Sequence, residues 1–149
     1  MTECRVRFVV PEDFSQWACL WKGYNLFYGR DSLPADITQA TWDRFFKGHE
    51  PVHALVVERS GQLLGLAHYL FHRSTIAIEA VCYMQDLFTH ESARGQGVGR
   101  MLIEAVYKEA RIAGSHRVYW QTHESNLVAR KLYDDVAELS GFIVYRKQV

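Results

Sequence analysis

The sequence predicts an α/β (α+β) fold in which helices pack against a central β-sheet. Three observations point there. Stretches with a two-residue apolar period alternate with stretches of helical period, one apolar run lacks a polar face, and glycine or proline marks most changes of pattern.

Residues 4–10 alternate Arg5 and Arg7 with Val6 and Phe8, the period of a half-buried first strand. Pro11 starts a helix over 12–28, with Phe14, Trp17, Ala18, Leu20, Trp21 and Tyr24 at helical spacing, and the turn residues of 29–34 end it. A second, short helix over 38–47 carries Trp42, Phe45 and Phe46 and stops at Gly48. Residues 52–58 and 62–72, joined by Ser60-Gly61, read as a hairpin. The run 78–89 is apolar on both faces for most of its length, as a central strand covered on two sides would be. A helix from Val98 buries Val98, Met101, Leu102, Ala105 and Val106, and Gly114 closes it. Residues 116–122 form a further strand, Ser125 caps a helix over 126–137, and Gly141 introduces a last strand over 142–146.

With 149 residues and 48% hydrophobic content, the chain suits one domain over 1–149. It has no apolar run that would cross a bilayer, and its first residues lack a signal-peptide pattern, so a cytoplasmic protein is expected, with no membrane partner. Cys4, Cys19 and Cys82 are widely separated and form no C-x-x-C pair, which argues against a disulfide framework or a thiolate zinc site. Seventeen basic and seventeen acidic residues balance, with no dense basic stripe, so nothing electrostatic supports a nucleic-acid partner.

The most constraining segment is Arg94-Gly95-Gln96-Gly97-Val98-Gly99, which joins the strand 78–89 to the helix that follows. A tight glycine turn into a helix N-terminus gathers backbone N–H groups that lack intrahelical partners, a corner suited to phosphates. The three glycines let an anion approach the backbone, and Arg94 and Arg100 add charge. A P-loop is excluded because the glycines are followed by Arg100-Met101 rather than Lys-Ser/Thr. A dinucleotide fingerprint is disfavoured by the late position and the missing third glycine of G-x-G-x-x-G.

The remaining home for such a loop is coenzyme A. The chain resembles the GNAT superfamily of N-acetyltransferases through Gln/Arg-x-x-Gly-x-Gly/Ala, matched at Arg94, Gly97 and Gly99, and Asn-x-x-Ala-x-x-x-Tyr, matched at Asn126, Ala129 and Tyr133. The C-terminal segments 118–122, 126–134 and 140–146 look like the branch with histone-, polyamine- and D-amino-acid-acetylating enzymes and their bacterial relatives. The resemblance implies a mixed central sheet splayed between its fourth and fifth strands, with helices on both faces. It also implies an acetyl-CoA-dependent N-acetyltransferase acting on a primary amine: a small amine, a polyamine, an amino acid or a protein lysine.

By that resemblance, Arg94, Gly95, Gln96, Gly97, Val98, Gly99 and Arg100 would hold the pyrophosphate, and Leu87, Phe88 and Thr89 the pantetheine arm. The Leu87 N–H would donate to the acetyl carbonyl, Asn126 would bond the pantetheine or phosphate region, and Tyr133 would act as general acid toward the sulfur. Asn126 and Tyr133 are two helical turns apart, so they share a helix face with the small Ala129 between them. Relatives that acetylate polyamines often carry Glu-Asp where this chain has Gln85-Asp86, and Gln85 cannot accept a proton. Gln85 is therefore expected to order a water at the acceptor, with Asp86, Glu79, Glu124 or His123 as candidate remote bases.

His68 and His72 have a zinc spacing only on a helix; on a strand and without a third ligand they predict no metal. The acceptor site is expected from the first helices, with Trp21, Tyr24, Tyr28 and Trp42 as candidate walls, Tyr28 foremost, and Asp31 or Asp36 adding charge. The apolar terminal strand suggests a homodimer built by strand exchange or edge pairing. The competing reading is a CoA-binding sensor or assembly module without catalysis, suggested by the missing base at Gln85.

Overall fold

The computed structural model describes residues 2–149. Five strands, β1 (Arg5–Phe8), β2 (Val52–Arg59), β3 (Gln62–His72), β4 (Val81–Thr89) and β5 (Val118–Tyr119), lie side by side in chain order. The first four pair antiparallel and β5 joins β4 in parallel, giving the mixed sheet. Helices α1 (Phe14–Phe27) and α2 (Ala35–Arg44) cover one face through Trp17, Leu20, Trp21, Tyr24 and Trp42. The other face carries α3 (Val98–Ile112), which buries Val98, Leu102, Ile103, Val106 and Ala110. Helix α4 (Leu127–Val136) leans on that same face with Leu132, Tyr133 and Val136.

The central run is apolar on both sides because both faces are covered: Val81, Cys82 and Met84 are buried, and β3 is buried over most of its length. α1 starts at Phe14 because Pro11–Asp13 forms a 3-10 turn, where the Asp13 carboxylate accepts from the Val10 N–H and from Arg7 at 2.7 and 2.9 Å. α2 begins earlier than its apolar period suggests, directly after Pro34, whose fixed φ suits a helix entry. At the start of α4 the cap position belongs to Asn126, while the Ser125 hydroxyl bonds to His123 Nδ1 instead.

Two departures concern the end of the chain. The strand expected over 116–122 reduces to Val118–Tyr119, because pairing with β4 ends after Cys82↔Val118 and Tyr83↔Tyr119. The strand expected over 142–146 does not form within this chain. Among the described residues no segment pairs with it, and Phe142 and Tyr145 are each 89% exposed. An apolar, β-prone segment becomes a strand only when an edge receives its amides, and here none does.

Close backbone approach fixes how the layers meet at the end of β4. A Cβ on Gly65 would lie 2.8 Å from both the Phe88 carbonyl oxygen and Val98 Cγ1, so α3 sits directly on β3 at this point. On the opposite face, Gly23 admits the Phe88 ring: a Cβ there would meet Phe88 Cζ at 2.9 Å. Gly65→Ala is therefore expected to lower stability by about 1–3 kcal/mol, roughly 3–10 °C in Tm, as measured by thermal unfolding. An unchanged Tm would contradict this packing.

Candidate active site

The chain leaves β4 through a 3-10 turn, Glu91–Ala93, and reaches Arg94. Gly95 has φ +73° and Gly97 φ +82°, left-handed values that side chains rarely adopt, and a Cβ at either would project into open space. Gly97 is the N-cap of α3. The first bond of the helix runs from the Met101 N–H to the Gly97 carbonyl at 3.0 Å, which leaves the amides of Val98, Gly99 and Arg100 ahead of the ladder. Gly99 has a different job from its neighbours, since a Cβ there would lie 3.2 Å from Leu132 Cδ2; its missing side chain lets α4 close on α3.

The charged groups around this corner are tethered. Arg94 Nε donates to the Thr89 carbonyl at 3.3 Å and its guanidinium lies 5.8 Å from the Phe88 ring centre. Arg100 pairs with Asp135 at 3.2 Å. Gln96 donates to the Ser92 carbonyl and accepts from Arg59 Nη1, both at 3.0 Å. Arg59, at the far end of β2, thus brings a third arginine to the corner; sequence reading missed it because 37 residues separate it from Gln96.

Beyond Tyr83 the edge of β4 toward β5 has no ladder partner. The His90 N–H bonds the Leu64 carbonyl at 2.8 Å, and antiparallel alternation from that pair turns the backbone groups of Phe88 and Asp86 toward β3. Those of Leu87 and Thr89 consequently face the open side. Across the opening stands α4. Asn126 donates to Thr122 Oγ1 at 3.2 Å, and Tyr133 packs its ring against Trp120 with centres 5.3 Å apart. Burial first, then the neighbouring Tyr28 hydroxyl, pushes the Tyr133 phenol up to about 12, so it keeps its proton at neutral pH. Tyr28 follows the last turn of α1 and Tyr133 lies on α4, helices that cover opposite faces of the sheet.

On the α1 face of β4 lies a buried polar chain. Trp17 Nε1–H donates to His68 Nε2 at 3.0 Å, and His68 Nδ1 meets Asp86 Oδ2 at 2.8 Å. The indole can only donate, so Nε2 is the bare nitrogen and the single ring proton sits on Nδ1, pointing at the carboxylate. Trp17, His68 and Asp86 are 0%, 2% and 8% exposed. Tyr24 lies near them: burial, then the negative charge of Asp86, raises its pKa well above the ordinary tyrosine value. The signal that could have revealed this chain is the facing register of His68 and Asp86 on β3 and β4.

The other candidates separate accordingly. Gln85 is exposed, beside the irregularity in pairing at His68/Tyr69. Glu79 packs near Gly114 at the far end of α3, and His123 is engaged by Ser125; of the four candidate bases, Asp86 is the one on the α1 face beside Tyr24. Trp42 is core, packed edge-on or tilted among Phe14, Trp17, Phe45 and Phe46, whereas Trp21 packs against both His68 and Tyr24, and Tyr28 is partly exposed. The charge that stacks on Tyr24 and Tyr28 is Arg30, at 5.5 and 5.3 Å from their ring centres, and Asp36 bonds the Ile37 amide at the start of α2. His72 Nε2 bonds the Tyr119 hydroxyl at 2.6 Å, and among the described residues no three His, Cys, Asp or Glu side chains gather to hold a metal. No helix among them is long and apolar enough to cross a membrane.

An open strand edge beside a glycine-capped helix N-terminus, faced by a tyrosine on the last helix, makes this corner the candidate active site. The Acetyltransferase (GNAT) family matches residues 16–137, and the chain belongs to it. It is 35% identical over 144 residues to a D-amino-acid N-acetyltransferase, HPA3, of Saccharomyces cerevisiae, covering 95% of this chain and 89% of that one. It is also 28% identical over 142 residues to an uncharacterized N-acetyltransferase, YhfO, of Bacillus subtilis, covering 94% of each. Among solved structures, the aminoglycoside acetyltransferase AAC(6')-Iy bound to a bisubstrate analogue superposes with a TM-score of 0.85 at 18% identity, covering 99% of this chain and all of that one. The chain is accordingly a GNAT-type N-acetyltransferase.

The Tyr133 environment is open to direct measurement. In ultraviolet difference titration of the native protein against Tyr133→Phe, the phenolate signal of Tyr133 is expected to be absent at pH 10, where an ordinary tyrosine is about half ionised. Half-ionisation at that pH would contradict a buried hydroxyl.

Proposed function

We propose that residues 1–149 act as a single catalytic unit that transfers the acetyl group of acetyl-CoA to a primary amine of a small molecule. The observation that carries this reading is the adjacency of two sets of unused backbone donors: the amides of residues 98–100 and the open edge at Leu87 and Thr89. The first suits a pyrophosphate, with Arg94, Gln96 and Arg100 around it. The second suits an extended amide-bearing arm, running along Leu87, Phe88 and Thr89 as an added strand would. Asn126 bonds the arm from the opposite side.

In the transfer, the amine nitrogen attacks the acetyl carbonyl, a C–N bond forms and the C–S bond breaks. The Leu87 N–H stabilises the negative charge that develops on the carbonyl oxygen. Tyr133, whose proton is secure at neutral pH, gives it to the departing thiolate. Gln85 holds a water that carries away the proton lost by the amine. Tyr28 borders the acceptor, and the D-amino-acid activity named for the yeast relative favours amino acids among the possible amines.

We further infer a homodimer in the cytoplasm, with the exposed apolar tail over 138–149 meeting a second copy. The outer edge of β5 has no neighbour in the sheet order, and Phe142 and Tyr145 are exposed.

Release of CoA thiol is expected only when acetyl-CoA and an amine are both present. Tyr133→Phe should lower turnover by about 10²–10⁴-fold while CoA affinity, read by calorimetry, changes little. An unchanged rate would remove the general acid, and no thiol release with any amine would leave a CoA-binding module without catalysis.

A further inference from the structure

β5 is too short to hold its own course. The backbone joins it to β4 through two parallel ladder pairs, Cys82↔Val118 and Tyr83↔Tyr119, preceded by a bond from the Cys82 N–H to the Arg117 carbonyl at 3.1 Å. A ladder of this length frays easily. The open edge at Leu87 and Thr89 begins where it ends, so the direction in which β5 leaves β4 sets the width of the opening.

A side-chain brace lies over that point. Tyr119 shares a face of the sheet with its ladder partner Tyr83, their ring centres 4.8 Å apart. Its hydroxyl reaches His72 Nε2 at 2.6 Å. His72 stands on β3, opposite Val81 in the register, and β4 lies between β3 and β5 in the sheet. The bond therefore passes over β4 and ties the outermost strand to the one beyond its neighbour. The imidazole is fixed in turn: Nδ1 meets the Arg73 carbonyl, a group that can only accept, at 2.9 Å. In the neutral ring the proton thus sits on Nδ1, and Nε2 accepts from the tyrosine. The Arg117 guanidinium, 5.4 Å from the Tyr119 ring centre, adds a contact to the same ring.

These residues are not core. Neither His72, Tyr83 nor Tyr119 belongs to the cluster packed beneath α1 and α2, and Tyr119 is 39% exposed. Burial does not account for the brace, whereas its place at the last ladder position does. The next residue, Trp120, turns to the opposite face, where it packs against Tyr107 and, with ring centres 5.3 Å apart, against Tyr133. Tyr119 anchors β5 on one face of the sheet just before Trp120 meets the last helix on the other.

Resting on the reading that the open edge of β4 receives the pantetheine arm, we propose that His72 and Tyr119 are positioning residues whose bond across β4 fixes the angle at which β5 diverges and so sets the channel for the arm. Neither side chain touches the cofactor; both act through the course of β5.

The test is calorimetric titration of the full chain with CoA and with 3′-phospho-ADP, the nucleotide portion of CoA without the arm. Tyr119→Phe keeps the ring on Tyr83 and removes the hydroxyl. It is expected to weaken CoA binding by about 3–10-fold, the range of one hydrogen bond, and to leave the affinity for 3′-phospho-ADP unchanged. His72→Leu should produce the same selective loss, and the double variant should lose no more than either alone, because both changes break one bond. His72→Gln, whose side-chain carbonyl can accept from the Tyr119 hydroxyl, should recover most of the CoA affinity. A brace that served stability alone would lower Tm and leave the ratio of the two affinities as in the native protein. That unchanged ratio, or additive losses in the double variant, would overturn the proposal. Native protein that binds CoA no more tightly than 3′-phospho-ADP would overturn the open-edge reading itself, and the role of the brace would fall with it.

Discussion

Two parallel ladder positions, Cys82↔Val118 and Tyr83↔Tyr119, hold β5 to β4, and the site exists because the pairing stops there. A fully paired β4 would spend every backbone group on its neighbours. By ending the ladder at Tyr83, the fold keeps β3 as a rigid support on one side and frees the groups of Leu87 and Thr89 on the other. The chain then turns at once through Gly95 and Gly97 into α3, so a second set of free amides follows within one short loop. Gly65, under the first turn of α3, and Gly99, under α4, set the distances between these parts by having no side chain.

The same strand divides the site into two chemical halves. On the α3 and α4 side it offers backbone donors and the protonated Tyr133, which suit a phosphate-bearing thioester. On the α1 side it presents Asp86, one residue before Leu87, held by a histidine whose far nitrogen is closed by an indole. A binding edge and a buried carboxylate can sit this close because backbone groups point along the sheet plane while the Asp86 side chain stands out from it on the α1 face. In the proposed transfer, donor and acceptor approach one backbone segment from two directions, the geometry that direct attack requires.

The order of elements was legible in the sequence because hydrophobic period and glycine punctuation are local properties. The corner at 94–100 was legible for the same reason: left-handed turns demand glycine, and helix starts demand unpaired amides. Tyr133 could be placed on the last helix from spacing alone, whereas Asn126, read as sharing its face, stands at the cap before the first turn. What escaped were features made by pairing between distant segments. His68, read on a strand as no metal ligand, gave no sign of the carboxylate that the register sets opposite it. Arg59 came to the loop from another strand, and Arg30, in a turn rich in breakers, gave no sign that Asn25 would aim it. Residues 142–146 have every local mark of a strand, yet strand formation depends on an edge, and local pattern cannot say whether that edge lies in the same chain.

The most direct test of the account follows backbone amide resonances of the full chain during titration with CoA. The account predicts saturable shifts centred on Leu87, Thr89 and residues 97–100, with the amides of Asp86 and Phe88, already bonded within the sheet, moving far less. Saturation with the shifts centred elsewhere, or no saturable response, would contradict it.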